Sequence, residues 1–258
     1  MTGVRLTIQQ IISMADSRKT GPAASGPHHL PHIHTEADLD AGLAALGTID
    51  PRFVPIIARA GRPPLRRRAH GYAGLAAIIV SQQLSTASAG AIWGRLTAAF
   101  DPFEPAALIR ARPARLARLG LSGAKIRALK FIARAIDKDE INLAKLVDMP
   151  ADAAHAVLTT LHGVGPWTAD IYLLACLGHA DAWPAGDLAL QEAARLAFAL
   201  PARPTTKEME TLGDRWRPWR SIAARVLWSY YRAVKGREGA PVQPTKKPMK
   251  RAGNGRRA

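Results

Sequence analysis

Cysteine is almost missing: the 258 residues hold a single one, Cys176. That excludes an internal disulfide and any all-cysteine metal cluster. Its thiol reads as a small apolar group on a buried helix face. Long apolar stretches are missing too. No uninterrupted run reaches the roughly 18 residues that a membrane span needs. The N-terminus does not follow the basic, apolar, cleavage-site order of a signal peptide. A soluble, cytoplasmic chain is therefore expected. No stretch alternates apolar and polar residues as a half-buried strand would.

Acidic residues are scarce relative to basic ones, 20 against 36, for a formal charge of +16. Six of the positive charges lie near the end, at Lys246, Lys247, Lys250, Arg251, Arg256 and Arg257. Removing those six still leaves +10. A basic tail alone says little, because such tails are often merely solvated. A basic body points to a polyanionic partner, most often nucleic acid. A membrane surface fits less well, since no helix joins a Lys/Arg-rich face to a broad aromatic one.

Three regions are expected along the chain. Residues 1–34 read as a flexible leader, because "SRKTGPAASGPHHLPHIH" mixes Gly, Pro, Ser and His without hydrophobic period. Its His28, His29, His32 and His34 belong to that leader on the favoured reading, with a metal site as the alternative. Residues 35–236 form the folded domain, opening at Thr35-x-x-Asp38, a capping-box pattern ahead of Leu39, Leu43 and Leu46. Residues 237–258 read as a basic, disordered tail. Between the ends, "GYAGLAAIIV", "STASAGAIWGRLTAAF", "GAKIRALKFIARAID" behind Ser122, "ADAAHAVLTTL", "DLALQEAARLAFAL" and "RPWRSIAARVLWSYYRAVKG" are apolar at helical spacings. Apolar residues make up 48%, enough for a real core. The fold class is all-α with short connections.

One break in this pattern carries chemistry. In "LHGVGPWTADIYLLACLG" a helical run stops at Gly163-Val164-Gly165-Pro166 and restarts at Trp167. Gly163 and Gly165 can adopt angles closed to other residues. Pro166 pre-sets the first helical turn, where its missing N–H costs nothing. Such a turn leaves bare N–H groups at a positive helix terminus, a phosphate-binding arrangement. Taken alone, it is better read as an ordinary helix–helix turn.

The surroundings add to it. "LHGVGPWTA" resembles the hairpin of the helix-hairpin-helix DNA glycosylases, and "DAWPAGDLALQ" resembles their loop carrying a catalytic aspartate. "SQQLSTASAGAIWGRL", "GLSGAKIRALK" and "WRPWRS" are similar to three further segments of that superfamily. Within it, the chain is most similar to the 3-methyladenine DNA glycosylase II group, over roughly residues 36–236. The resemblance implies two helical subdomains with the hairpin and the active-site cleft between them. Two departures narrow it. Iron–sulfur members carry four cysteines, which these residues cannot supply. Bifunctional members place a Schiff-base lysine two residues after the second hairpin glycine, where this chain has Trp167.

The resemblance also implies roles. Asp187 would be catalytic, its carboxylate stabilising the oxocarbenium-like sugar at a helix N-terminus that favours negative charge. A plain N-cap is the alternative, and both roles can coexist. No second carboxyl acid is evident, which suits an alkylated purine, already cationic before the bond breaks and able to leave without extra protonation. Trp167 and Trp219 would line the base pocket by stacking and cation–π attraction. Trp183 reads as loop packing, Trp93, Trp216 and Trp228 as core, and Tyr172 stays open. Gln83, with Leu84 as the alternative, would fill the gap left by a flipped base; a surface loop is the bland reading. Gly163, Gly165, Thr168 and Lys125 would contact the DNA backbone. Arg220 reads as a solvated surface charge, and His162 is expected at the groove or in solvent. No cofactor is expected beyond a possible monovalent cation on the carbonyls of Thr159, Leu161 and Val164. The expected partner is duplex DNA with damaged bases, met by a monomer. A non-enzymatic DNA-binding module and a glycosylase for another lesion are the competing readings.

Overall fold

A computed structural model describes residues 31–236. The leader up to residue 30 and the tail from residue 237 lie outside the described residues. Those described form twelve α-helices, and their only β-type pairing is a single bridge between His32 and His179. The helices are α1 (Glu36–Ile49), α2 (Phe53–Ala60), α3 (Gly71–Ser81), α4 (Thr86–Ala99), α5 (Pro105–Arg110) and α6 (Pro113–Arg118). They continue with α7 (Gly123–Asp137), α8 (Ala151–Thr159), α9 (Pro166–Tyr172), α10 (Leu188–Ala197), α11 (Thr206–Gly213) and α12 (Arg220–Lys235). None is long and apolar enough to cross a membrane.

Local chemistry sets many of the ends. Thr35 accepts a hydrogen bond from the Asp38 N–H while Asp38 reaches back to the Thr35 N–H, closing the capping box ahead of α1. Ser85 and Ser122 cap α4 and α7 in the same manner. Proline stands in the first turn of α5, α6 and α9.

Packing divides the helices into two groups. In one, α3 is the central element, buried at Leu75, Ile78, Ile79 and Val80 and packed on α4, α7 and α9. A helix apolar on nearly all sides must sit inside, which is why "GYAGLAAIIV" shows so little amphipathic pattern. In the other group α12 is the axis, packed on α1, α2 and α10. The N-terminal helices thus join the C-terminal ones. Arg225 of α12 bridges the groups, donating to the carbonyls of Leu65 and Leu174.

Folded structure begins earlier than the sequence suggests. Pro31–His34, assigned to the leader, are packed: the Ile33 N–H donates to the Gly178 carbonyl at 2.7 Å, and the Ile33 side chain is fully buried. His32 stacks on His34 and tilts against His179. Its Nε2 meets the Val147 carbonyl at 3.0 Å. The rings therefore serve packing, and among the described residues no three His, Cys, Asp or Glu side chains are grouped to hold a metal. His28 and His29 lie outside the described residues. Cys176 is buried as expected, and burial pushes its thiol up to about 12.

Candidate active site and DNA-facing cleft

The hairpin runs from the end of α8 to Pro166. Gly163 has φ +87°, a conformation that excludes most side chains. It also lies hard against α7: a Cβ built there would stand 2.3 Å from the Ala128 Cβ. Gly165 is the extended N-cap of α9, and a Cβ there would meet nothing within 4 Å. The two glycines thus do different things. Gly163 lets the hairpin rest on α7, while Gly165 leaves an open backbone surface. Of the three carbonyls suggested for a cation, that of Leu161 already accepts the Val164 N–H at 3.1 Å.

Facing the hairpin is the loop between α3 and α4. Together they line a cleft of about 740 Å³, with Ser81, Gln82, Gln83 and Leu84 on one wall and Gly163–Thr168 on the other. Gln83 has φ +56° and is exposed, and Leu84 is 37% exposed, so both project from the loop. Gln82 turns inward instead. Its Nε2 donates to Thr168 Oγ1 at 2.8 Å and to the Gly163 carbonyl at 3.4 Å, tying loop to hairpin.

Two residues expected on the DNA backbone have internal duties. Thr168 is 2% exposed and its hydroxyl receives the Gln82 amide, so its side chain does not reach the surface. Lys125 Nζ donates at 2.8 Å to the carbonyls of both Val80 and Gln82, which holds the end of α3 and the start of the loop. Desolvation lowers its pKa. A cation satisfied by a helix's orphan carbonyls orients that loop. This differs from the direct phosphate contact expected of it.

Asp187 is the N-cap of α10, its Oδ1 accepting the Leu190 N–H at 2.9 Å. The same carboxylate gathers two indoles. Trp167 Nε1 donates to Oδ2 at 2.8 Å, and Trp228 Nε1 donates to Oδ1 at 3.2 Å. Asp187 is 7% exposed and does not itself line the cleft; Trp167 does, and links the two. N-cap and ligand of two indoles coexist in one side chain. The three donors come from α9, α10 and α12, so the carboxylate stands where the two helix groups meet.

Trp228 was missed as a site residue because a Trp at helical spacing reads as core. Its partial exposure and its N–H on Asp187 emerge only when α12 packs on α10. Trp219, expected in the pocket with Trp167, is packed against α1, where a Cβ on Gly42 would stand 3.0 Å from its ring. Trp228→Phe keeps the bulk and deletes one donor to a carboxylate, a bond worth about 1.5–3 kcal/mol. The thermal midpoint should fall by roughly 3–12 °C for a domain of this size. A midpoint equal to wild type by calorimetry would show that bond to be idle.

The loop that delivers Asp187 is pinned from behind. Arg220 is buried rather than solvated as expected, pairing with Asp181 at 2.6 Å and with Asp152 at 2.9 Å. Arg217 pairs with Asp152, Asp181 and Asp214. The Ser221 hydroxyl donates to the carbonyls of His179 and Ala182, and Trp183 Nε1 to that of Met209. Asp170, buried beside this network, has its carboxyl pKa pushed well up by burial. Sequence reveals residue types here but not pairings, since Arg220 and its acids are 39 and 68 positions apart.

Trp216 and Trp183 behave as core and loop packing, T-shaped against each other at 5.3 Å. Trp93 packs on Phe103. Tyr172, left open, is fully buried, and its hydroxyl accepts the Gly71 N–H at 3.1 Å. His162 is exposed at the hairpin tip, its ring 5.8 Å from that of Phe131.

Residues 76–218 match the HhH-GPD superfamily of base excision DNA repair proteins. The probable bifunctional transcriptional activator/DNA repair enzyme AlkA of Mycobacterium tuberculosis is 32% identical over 76% of the chain and 40% of its own length. The DNA-3-methyladenine glycosylase of Bacillus subtilis is 31% identical over 50% of the chain and 42% of its own length. The chain therefore spans about two-fifths of these relatives. Among solved structures, Schizosaccharomyces pombe 3-methyladenine DNA glycosylase (Mag1), in complex with abasic DNA, superposes with a TM-score of 0.65 at 25% identity. That match covers 76% of this chain and 97% of the other.

Proposed function

The chain belongs to the HhH-GPD superfamily of base excision DNA repair proteins, and from that membership we propose that it is a monofunctional glycosylase releasing alkylated bases from duplex DNA. The observation that carries this is the Asp187 carboxylate, which accepts from Trp167 and Trp228, the first of which lines the cleft between hairpin and loop. Hydrolysis of an N-glycosidic bond builds positive charge on the sugar. A fixed carboxylate stabilises that charge without reorganising as the bond breaks. Indole faces beside it suit a cationic base, which they attract while water is excluded. Gln83 or Leu84 would occupy the space of the rotated nucleotide. The bare backbone at Gly165 would meet a phosphate.

Lyase chemistry needs an amine where Trp167 stands, and an indole N–H bound to a carboxylate is no nucleophile. No iron–sulfur cluster takes part in this reading, because one buried cysteine cannot ligate it. The chain would work as a monomer.

The test uses purified protein and methylated duplex DNA. Release of 3-methyladenine and 7-methylguanine is expected, and borohydride should trap no covalent protein–DNA adduct. If neither base is released, the alkylation reading fails. A trapped adduct would overturn the monofunctional assignment.

A further inference from the structure

The hairpin, the loop and the aspartate leave one basic surface unused. Residues 105–138 contain nine basic residues and one acidic residue, Asp137, so they hold half of the formal +16. Some of these cations are used internally. Lys125 and Lys130 donate to carbonyls, and Arg115 lies over the Phe100 ring. On α7 and its C-cap, however, Arg127, Phe131, Arg134 and the capping Lys138 follow one another at spacings of four, three and four, which is one face of a helix. All four are exposed, and Phe131 is 44% exposed despite its apolar ring. Among the described residues neither Arg127 nor Arg134 has an ion pair, whereas Lys138 stands 3.9 Å from Glu140.

This stripe borders the hairpin. Gly163 rests on Ala128 of the same helix, and the His162 ring at the tip meets Phe131 one turn further on. Lys125, at the start of α7, holds the loop that carries Gln83. A duplex seated on the hairpin and loop therefore lies next to the outer face of α7.

We propose that Arg127, Phe131 and Arg134 form a second contact strip for the DNA backbone, extending the hairpin's grip away from the lesion. The proposal rests on the reading that the hairpin holds DNA. Two guanidinium groups seven residues apart on a helix stand about 10 Å apart along its axis. Each can take a phosphate in bidentate fashion. The ring between them supplies an apolar rest for deoxyribose, which has no charge to offer. A strip that reads only phosphate and sugar adds affinity without sequence preference.

The experiment is a salt titration of the full chain's affinity for an undamaged duplex, followed by fluorescence anisotropy. Each phosphate neutralised contributes about 0.9 to the slope of log affinity against log salt. Arg127→Gln with Arg134→Gln should lower that slope by about 2, and Arg127→Lys with Arg134→Lys should restore it. Phe131→Ala should weaken binding equally at all salt concentrations. All substituted positions are exposed, so the thermal midpoint should match wild type. An unchanged slope in the Gln pair overturns the strip. Base release by the wild type is scored separately on methylated DNA. No release by the wild type, together with a lowered Gln-pair slope, would sink the glycosylase reading and leave the strip standing.

Discussion

Asp187→Asn is expected to lower 7-methylguanine release in single turnovers by at least about 10²–10³-fold. The substitution is chosen for what it keeps. Asparagine is as good an N-cap as aspartate, so α10 retains its first-turn bond to the Leu190 N–H. The side-chain volume is unchanged. What is lost is the negative charge, and with it, on the proposed function, the stabilisation of an oxocarbenium-like sugar. One new conflict arises, because an amide NH₂ must face an indole N–H where Trp167 now donates to Oδ2. Leaving such a donor unpaired costs about 1–3 kcal/mol, which should appear as a modest fall in thermal midpoint. Undamaged-duplex affinity should hold or rise slightly. Quantifying released base by chromatography checks the rate. A variant that releases base as fast as wild type would move the charge stabilisation to another group.

Gly163→Ala is expected to be the most damaging single-methyl change in the cleft, and its effect falls on folding first. At φ +87° an alanine carries strain of about 1–3 kcal/mol. Its Cβ would stand 2.3 Å from the Ala128 Cβ, an atom fixed to a helix backbone that no rotamer change can move. Overpacking of this kind adds about 1–3 kcal/mol. Together these predict a midpoint lowered by roughly 5–15 °C for a domain of this size. The hairpin must lift from α7, so DNA affinity should drop as well, by more than about tenfold. Gly165→Ala is the contrast. Its Cβ meets nothing, so the fold should be unaffected and any loss of affinity reports the approach of a phosphate to the bare backbone. Equal midpoints for the two variants, measured by calorimetry, would refute this division of labour.

How much of this was legible beforehand depends on the range of the interactions. Helix starts such as Thr35, Ser85 and Ser122 are encoded within three residues of themselves, so sequence spacing finds them. The Gly-Val-Gly-Pro turn is local in the same sense. Pro31–His34 looked like leader because their partners, Val147 and Gly178–His179, lie more than a hundred residues away. Arg220 looked solvated for a similar reason, since an arginine's acids can stand anywhere in the chain. Lys125 and Thr168 were expected on the DNA backbone. Their side chains nevertheless brace the loop and the hairpin against each other, which no spacing rule anticipates.

By itself the sequence determined an all-α chain, the breaks between its helices, the lack of a lysine at Trp167 and the loop that ends in Asp187. The first two follow from composition, period and backbone chemistry over a few residues, and the significance of the last two from the family resemblance. Only the tertiary structure decided that Trp228 rather than Trp219 reaches the carboxylate, that α1 and α2 pack with α12, and that the outer face of α7 borders the hairpin. Those outcomes depend on which apolar faces are buried against one another, a property of the whole packed chain and not of any segment of it.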